Sequence, residues 1–205
     1  MKYILNSNKV YEKGLYKSSL IYTINLYNCK KGVYEMIKRS ITVFPEFENN
    51  HLIQELRRKY DPLHNLIPSH ITLVFPFTSN IAGDCLKEHM AEKLLGVEPF
   101  EIKLKEITGD NGEYLFLNVK TGNDQLIRIH DLLYSGILKG FLFRRVSYNP
   151  HLTVGRLPGT QDFDRALRDT ENFNEEFRTV IKKIIIETIE EDGRSNPEFC
   201  YNLGS

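Results

Sequence analysis

Tryptophan is absent from this 205-residue chain, and cysteine occurs only three times. Cys29, Cys85 and Cys200 are odd in number, far apart and without metal-like spacing. They argue against a disulfide framework and predict a reducing, cytoplasmic setting. They also leave a zinc centre without a ligand set, so no metal and no cofactor is expected. Nothing resembles a signal peptide. The longest N-terminal apolar stretch, Leu20 to Tyr27, is interrupted by Thr23 and Asn25 and is too short to span a bilayer, so no membrane partner is expected. An excess of one charge is missing too, since Lys+Arg and Asp+Glu both number 27. Zero net charge argues against gripping long duplex nucleic acid by charge alone. It leaves room for a local basic patch that holds a small charged ligand or a strand end. The length suits one domain or two small lobes sharing a core, and a monomer is expected.

Residues 1–38 stand apart as an N-terminal extension. They are rich in Lys, Asn and Tyr and carry no chemical motif. Ser19 to Leu26 reads as a strand and Val33 to Arg39 as a helical turn. From Ser40 the signals sharpen. Ser40 to Phe47 is a strand, followed by a helix from Asn49 or Asn50 to Tyr60 with Leu52, Ile53 and Leu56 inward. A motif strand follows from Pro68 and ends at Pro76. A helix over Asp84 to Leu95 carries Leu86, Met90, Leu94 and Leu95 on one stripe. Phe100 onward alternates as a half-buried strand, Asp110-Asn111-Gly112 marks a hairpin, and Tyr114 to Lys120 returns. A helix from Gly122 to about Leu138 leads through the basic stretch Lys139 to Arg145 to a second motif strand. A helix from Asp162 or Asp164, one long strand over Thr179 to Ile189 and a short strand near Phe199 complete the chain.

Two stretches carry the chemistry. Pro68-Ser-His70-Ile-Thr72-Leu-Val-Phe75 and Pro150-His151-Leu-Thr153-Val-Gly-Arg156 both read His-x-Thr at a proline-led strand start. Strand alternation puts His70 and Thr72 on one face and Ile71 on the other; His151, Thr153 and Leu152 repeat this. The two histidines lie 81 residues apart, and the same offset maps helix onto helix and Phe100–Thr108 onto Ile181–Ile189. A duplicated unit accounts for this, with lobes of roughly 39–120 and 121–205 paired about a pseudo-two-fold axis. The predicted fold class is α+β: a bilobal duplicated unit of antiparallel sheets with flanking helices, its two His-x-Thr strands facing a central cleft. Paired imidazoles suit acid–base catalysis: one removes a proton from a nucleophile while the other delivers one to the leaving oxygen. Thr72 and Thr153 would then hold a phosphoryl group from two sides. The residues leave open which histidine is acid and which is base.

The paired motifs resemble those of the 2H phosphoesterase superfamily, within it the branch called 2′-5′ RNA ligase or RNA 2′,3′-cyclic phosphodiesterase. The resemblance covers about residues 38–205. It implies a bilobal α+β fold with the motifs lining a central cleft. It implies opening of 2′,3′-cyclic phosphates to 2′-phosphates, or the reverse joining of 2′-5′ linked RNA ends. By analogy His70 is the proton donor to the leaving 3′ oxygen and His151 the base that activates water, with Thr72 and Thr153 binding the phosphate. The implied partners are RNA ends or small cyclic nucleotides.

Further substrate contacts are expected near the second motif. Arg144, Arg145 and Arg156 can steer a phosphate or RNA end, and Tyr148 and Phe75 can stack on a base. By strict alternation Arg156 points away from His151, so its use requires a bulge at Gly155. His51 and His89 read as surface groups, His130 as a helix residue and His64 as a loop residue near the cleft. The alternatives are a catalytically silent RNA-binding relative, and the same chemistry on another phosphoester such as 2′-5′ oligoadenylate.

Overall fold

Alternating apolar residues at Ile102 and Leu104, and at Leu115, Leu117 and Val119, supply the buried faces of a hairpin at the centre of the chain. Its turn is built by Asn111 and Gly112, both at positive φ (50° and 68°), as the Asp-Asn-Gly signal requires. The structure is a computed structural model that describes residues 35–157 and 159–204. The order is β1 (Ile37–Val43), α1 (Asn50–Tyr60), β2 (Ile71–Ser79), α2 (Gly83–Lys93), β3 (Phe100–Asp110), β4 (Tyr114–Thr121) and α3 (Asn123–Leu133). A 3-10 helix (Gly136–Phe141), β5 (His151–Arg156), α4 (Thr160–Asp169), β6 (Glu176–Ile181), β7 (Lys183–Ile189) and β8 (Ser195–Asn202) follow. The fold is α+β, with two antiparallel four-stranded sheets ordered β2-β1-β7-β8 and β5-β4-β3-β6. One apolar core runs through both and includes Ile41, Leu73, Leu117, Leu152 and Ile186. Among the described residues no helix is long and apolar enough to cross a membrane.

The stretch expected as one strand over Thr179–Ile189 breaks at Lys182. Its first part, β6, lies in one sheet and its second, β7, in the other. The two sheets therefore do not divide the chain near residue 120. β3 and β4 of the first copy pair with β6 and β5 of the second, and β7 leaves the second to pair with β1 of the first. The helices cross over in the same way: α1 packs on β5 and α3 on β2. Each lobe thus contains elements from both copies.

Local expectations shift for identifiable reasons. β1 starts at Ile37 and ends at Val43, so Ile37 to Arg39 is strand and not helical turn. The strand expected over Ser19–Leu26 lies outside the described residues. β2 runs past Pro76 to Ser79. It is an edge strand with a register shift around that proline, where no ladder N–H is needed. α3 stops at Leu133, and Gly136 at positive φ (51°) starts the tighter turn. Leu95 is 76% exposed and off the inward stripe, because α2 ends at Lys93. Cys85 is disulfide-bonded, against the expectation of unpaired cysteines, while Cys200 is exposed and free.

Candidate active site

β2 and β5 are the outermost strands of their sheets and pack against each other. The two motifs therefore reach one cavity of about 870 Å³, lined by His70, Thr72, His151 and Thr153. The apolar residues between them, Ile71, Leu73, Leu152 and Val154, are fully buried and hold the polar ones in that direction.

Each motif strand bulges at the same place. Thr42 faces Thr72 while Ile41 faces Val74, leaving Leu73 as the extra residue. Phe116 faces Thr153 while Leu115 faces Gly155, leaving Val154 as the extra residue. The bulge flips the alternation, so the residue five beyond each histidine turns to the cavity: Phe75 in one copy and Arg156 in the other. This is the condition that the use of Arg156 requires. A Cβ at Gly155 would stand 3.1 Å from both Leu115 and the Tyr60 Cβ, so the bulge is built around a close approach.

Both histidines are oriented alike. His70 Nδ1 bonds the Pro68 carbonyl at 2.9 Å and His151 Nδ1 bonds the Asn149 carbonyl at 2.7 Å. A carbonyl only accepts, so each Nδ1 carries the hydrogen and each Nε2 is left for the cavity. Neither Nε2, nor the hydroxyl of Thr72 or Thr153, is engaged by another described residue. Phe116 stacks on His151, with centroids 3.6 Å apart, and Phe44 tilts against His70 at 5.9 Å.

Burial is the main force that lowers both imidazoles. It pushes His70 from 6.5 to about 4, against the bond to the Pro68 carbonyl and with the help of the nearby Arg57 and Arg156 charges. His151 is lowered by burial and opposed by the bond to Asn149. Behind His70 sits a buried charge cluster. Arg57 Nε donates to Asp61 Oδ2 at 3.0 Å, and Arg156 Nε lies 3.6 Å from Asp61 Oδ1. Asp61 thus holds Arg156 near the cavity.

The outer edge of the β2 bulge is capped by side chains that lead into the second motif. Tyr148 donates its hydroxyl to the Thr72 carbonyl at 2.9 Å. His130 Nδ1 donates to the Leu73 carbonyl at 2.8 Å and stacks on Tyr148, with centroids 3.7 Å apart. The Phe75 N–H donates to the Tyr134 hydroxyl at 2.9 Å. Tyr148 is therefore committed to Thr72 and to His130, and does not line the main cavity as a free stacking surface. Arg144 and Arg145 are exposed and stand outside that cavity. His64 bonds the Asp61 carbonyl and does not line it either. His89 is buried, with Nε2 on the Leu133 carbonyl at 2.9 Å, against the expectation of a surface group.

Sequence reasoning missed Phe116, Tyr114, Arg57 and Asp61. Arg57 and Asp61 stand at an i,i+4 spacing, a readable sign of an ion pair, but only the fold puts them behind His70.

The family model of the 2′-5′ RNA ligase superfamily matches residues 43–193. Two relatives, each named "Putative phosphoesterase", come from Geobacillus kaustophilus and Geobacillus thermodenitrificans. They are 33% identical over 138 and 135 residues, covering 62% of this chain and 75% of theirs. Among solved structures the fold is similar to E. coli LigT complexed with 3′-AMP (TM-score 0.58, 17% identity, 83% of this chain and 100% of that one). A structure described as a phosphoesterase matches with a TM-score of 0.56 at 18% identity over the same shares. With both motifs on facing strands and the family model spanning most of the chain, the protein belongs to the 2′-5′ RNA ligase superfamily of 2H phosphoesterases.

Proposed function

We propose that the protein is a metal-independent phosphodiesterase that opens 2′,3′-cyclic phosphates, at RNA ends or on nucleotides, to 2′-phosphates. The same groups run in reverse would join 2′-5′ ends. One observation carries the reading: two histidines, each fixed through Nδ1, present Nε2 beside a free threonine hydroxyl in a shared cavity.

In the proposed step His151 Nε2 takes a proton from water and the water oxygen attacks phosphorus. The P–O3′ bond breaks, its electron pair goes to O3′, and protonated His70 delivers a proton there. The product is a 2′-phosphate beside a free 3′-hydroxyl. Thr72 and Thr153 donate to the non-bridging oxygens, and Arg156 faces the same charge. This division of acid and base follows the family analogy. In the free protein both imidazoles are held low, which suits a base. A phosphodiester anion between them raises both, and so supplies the protonated acid where it is needed.

The test is incubation with nucleoside 2′,3′-cyclic monophosphates in excess chelator, with identification of the phosphate position. A 2′-phosphate is expected. His70→Ala and His151→Ala should each lose about 10²–10⁴-fold in kcat while remaining folded. Near wild-type turnover by either variant would end the two-histidine reading.

A further inference from the structure

The C-terminal end of α1 reaches both motifs at once. Arg57 and Asp61 are 1% and 4% exposed, and their side chains pair at 3.0 Å. Toward the first motif, Arg57 Nη2 donates to the Ile67 carbonyl at 2.8 Å. The next residue is Pro68, whose own carbonyl holds His70. Asp61 Oδ1 accepts from the Leu63 N–H at 3.0 Å, so the loop between α1 and the motif is tied at both ends. Toward the second motif, the same Oδ1 lies 3.6 Å from Arg156 Nε. The Tyr114 ring stands against the Arg156 guanidinium, with its centroid 5.9 Å away. Arg156 lines the main cavity, and its terminal nitrogens have no hydrogen-bond partner among the described residues.

Two features exceed what a structural ion pair needs. One carboxylate stands against two guanidiniums, which leaves one positive charge over. Among the described residues, five buried side-chain atoms lack a hydrogen-bond partner, and two of them, Arg57 Nη1 and Arg156 Nε, belong to this cluster. A cluster serving stability alone would close those bonds. The second feature is its reach to His70. Arg57 and Arg156 both push that imidazole down, and Asp61 is the carboxylate that opposes them.

We propose that Asp61 is a positioning residue of the reaction, which holds Arg156 by its Nε edge so that the terminal nitrogens face the phosphoryl group between Thr72 and Thr153. The inference rests on the phosphodiesterase reading and gives Asp61 no contact with substrate. Its charge also offsets the two guanidiniums, which otherwise drive the proton from His70. Through Arg57 it steadies the loop that ends at the Pro68 carbonyl. One carboxylate thus sets the acid of the first motif and the anion clamp of the second.

The experiment is Asp61→Asn, assayed on a nucleoside 2′,3′-cyclic monophosphate. The amide oxygen still accepts from the Leu63 N–H, but the charge is gone. kcat per folded molecule should fall about tenfold, with KM changed by less than about threefold. The alkaline limb of the kcat profile should move to lower pH, because His70 gives up its proton more readily. In Asp61→Asn/Arg156→Ala the loss should fall well short of the product of the two single losses, since no guanidinium is left to aim. Asp61→Asn leaves Arg57 buried without its counter-charge and can fail to fold. Asp61→Glu then decides, because it keeps the charge and displaces it by one methylene: kcat should fall while the limb stays in place. Wild-type kcat per folded molecule in either variant, an unmoved limb in Asp61→Asn, or single losses that multiply in full overturns the role of Asp61 and leaves the phosphodiesterase reading intact. Absence of turnover by the wild type overturns that reading and the role of Asp61 with it.

Discussion

His70 shows how far one side chain can be read from its neighbours. Its direction was legible, because a buried Ile71 next to it leaves only one face for His70 and Thr72. Arg156 was legible as a condition, since alternation alone sends it away and only a bulge brings it back. The charge state of His70 was not legible, because it depends on burial and on Arg57 and Arg156, which the fold brings in from elsewhere. That charge state predicts a pH profile. With His70 at about 4 and His151 also lowered, both are neutral in the free protein at pH 7. The productive form needs one protonated and one neutral imidazole, so its fraction falls about tenfold per pH unit above the higher of the two values. kcat/KM, which reports the free protein, should therefore peak on the acid side of 6.5 and decline through neutrality. kcat reports the complex, where the bound phosphate raises both groups, and should peak at higher pH. A kcat/KM that stays level or rises between about pH 6 and 8 contradicts this.

At the scale of elements, what periodicity could see was seen. The helices after each motif, the Asn111-Gly112 hairpin and the 81-residue offset all appear, and the offset also relates the bulges at Leu73 and Val154. The break at Lys182 was hidden because no glycine or proline marks it; only the pairing partners differ on its two sides. The buried helix histidines were hidden for a related reason. His130 is inside because the bulge leaves the Leu73 carbonyl without a ladder partner, and that need arises from another element. Tyr148 and Asn149 extend this logic. Tyr148 holds the Thr72 carbonyl while the carbonyl of Asn149 holds His151. Two consecutive residues therefore set the position of one motif against the other. Tyr148→Phe keeps the stack on His130 and loses only the hydrogen bond. It should cost about 1 kcal/mol of stability and lower kcat by about tenfold with KM little changed. If melting shifts but kcat of the folded variant matches wild type, Tyr148 is only structural.

At the scale of the whole molecule, the same economy creates a shared weakness. His70, His89, His130 and His151 are all folded away as neutral imidazoles, each donating to a backbone carbonyl, and burial lowers all four. The unfolded chain takes up their protons near pH 6.5, while the folded protein resists to lower pH. Below 6.5 the unfolded state thus binds more protons, and stability falls as pH falls. Each group contributes up to about 1.4 kcal/mol per pH unit until its folded value is reached. Glu187 opposes them. Burial raises its carboxyl, so the folded state gains a proton first and recovers some stability in acid. Four groups against one leave the histidines dominant. The urea midpoint should therefore drop between about pH 6.5 and 5, well before the exposed carboxylates titrate. His89→Gln supplies the test, because a glutamine amide can still donate to the Leu133 carbonyl but does not titrate. That variant should show a shallower fall with pH. A midpoint that is level from about pH 7 to 5 in the wild type would mean that the buried histidines are protonated at no cost.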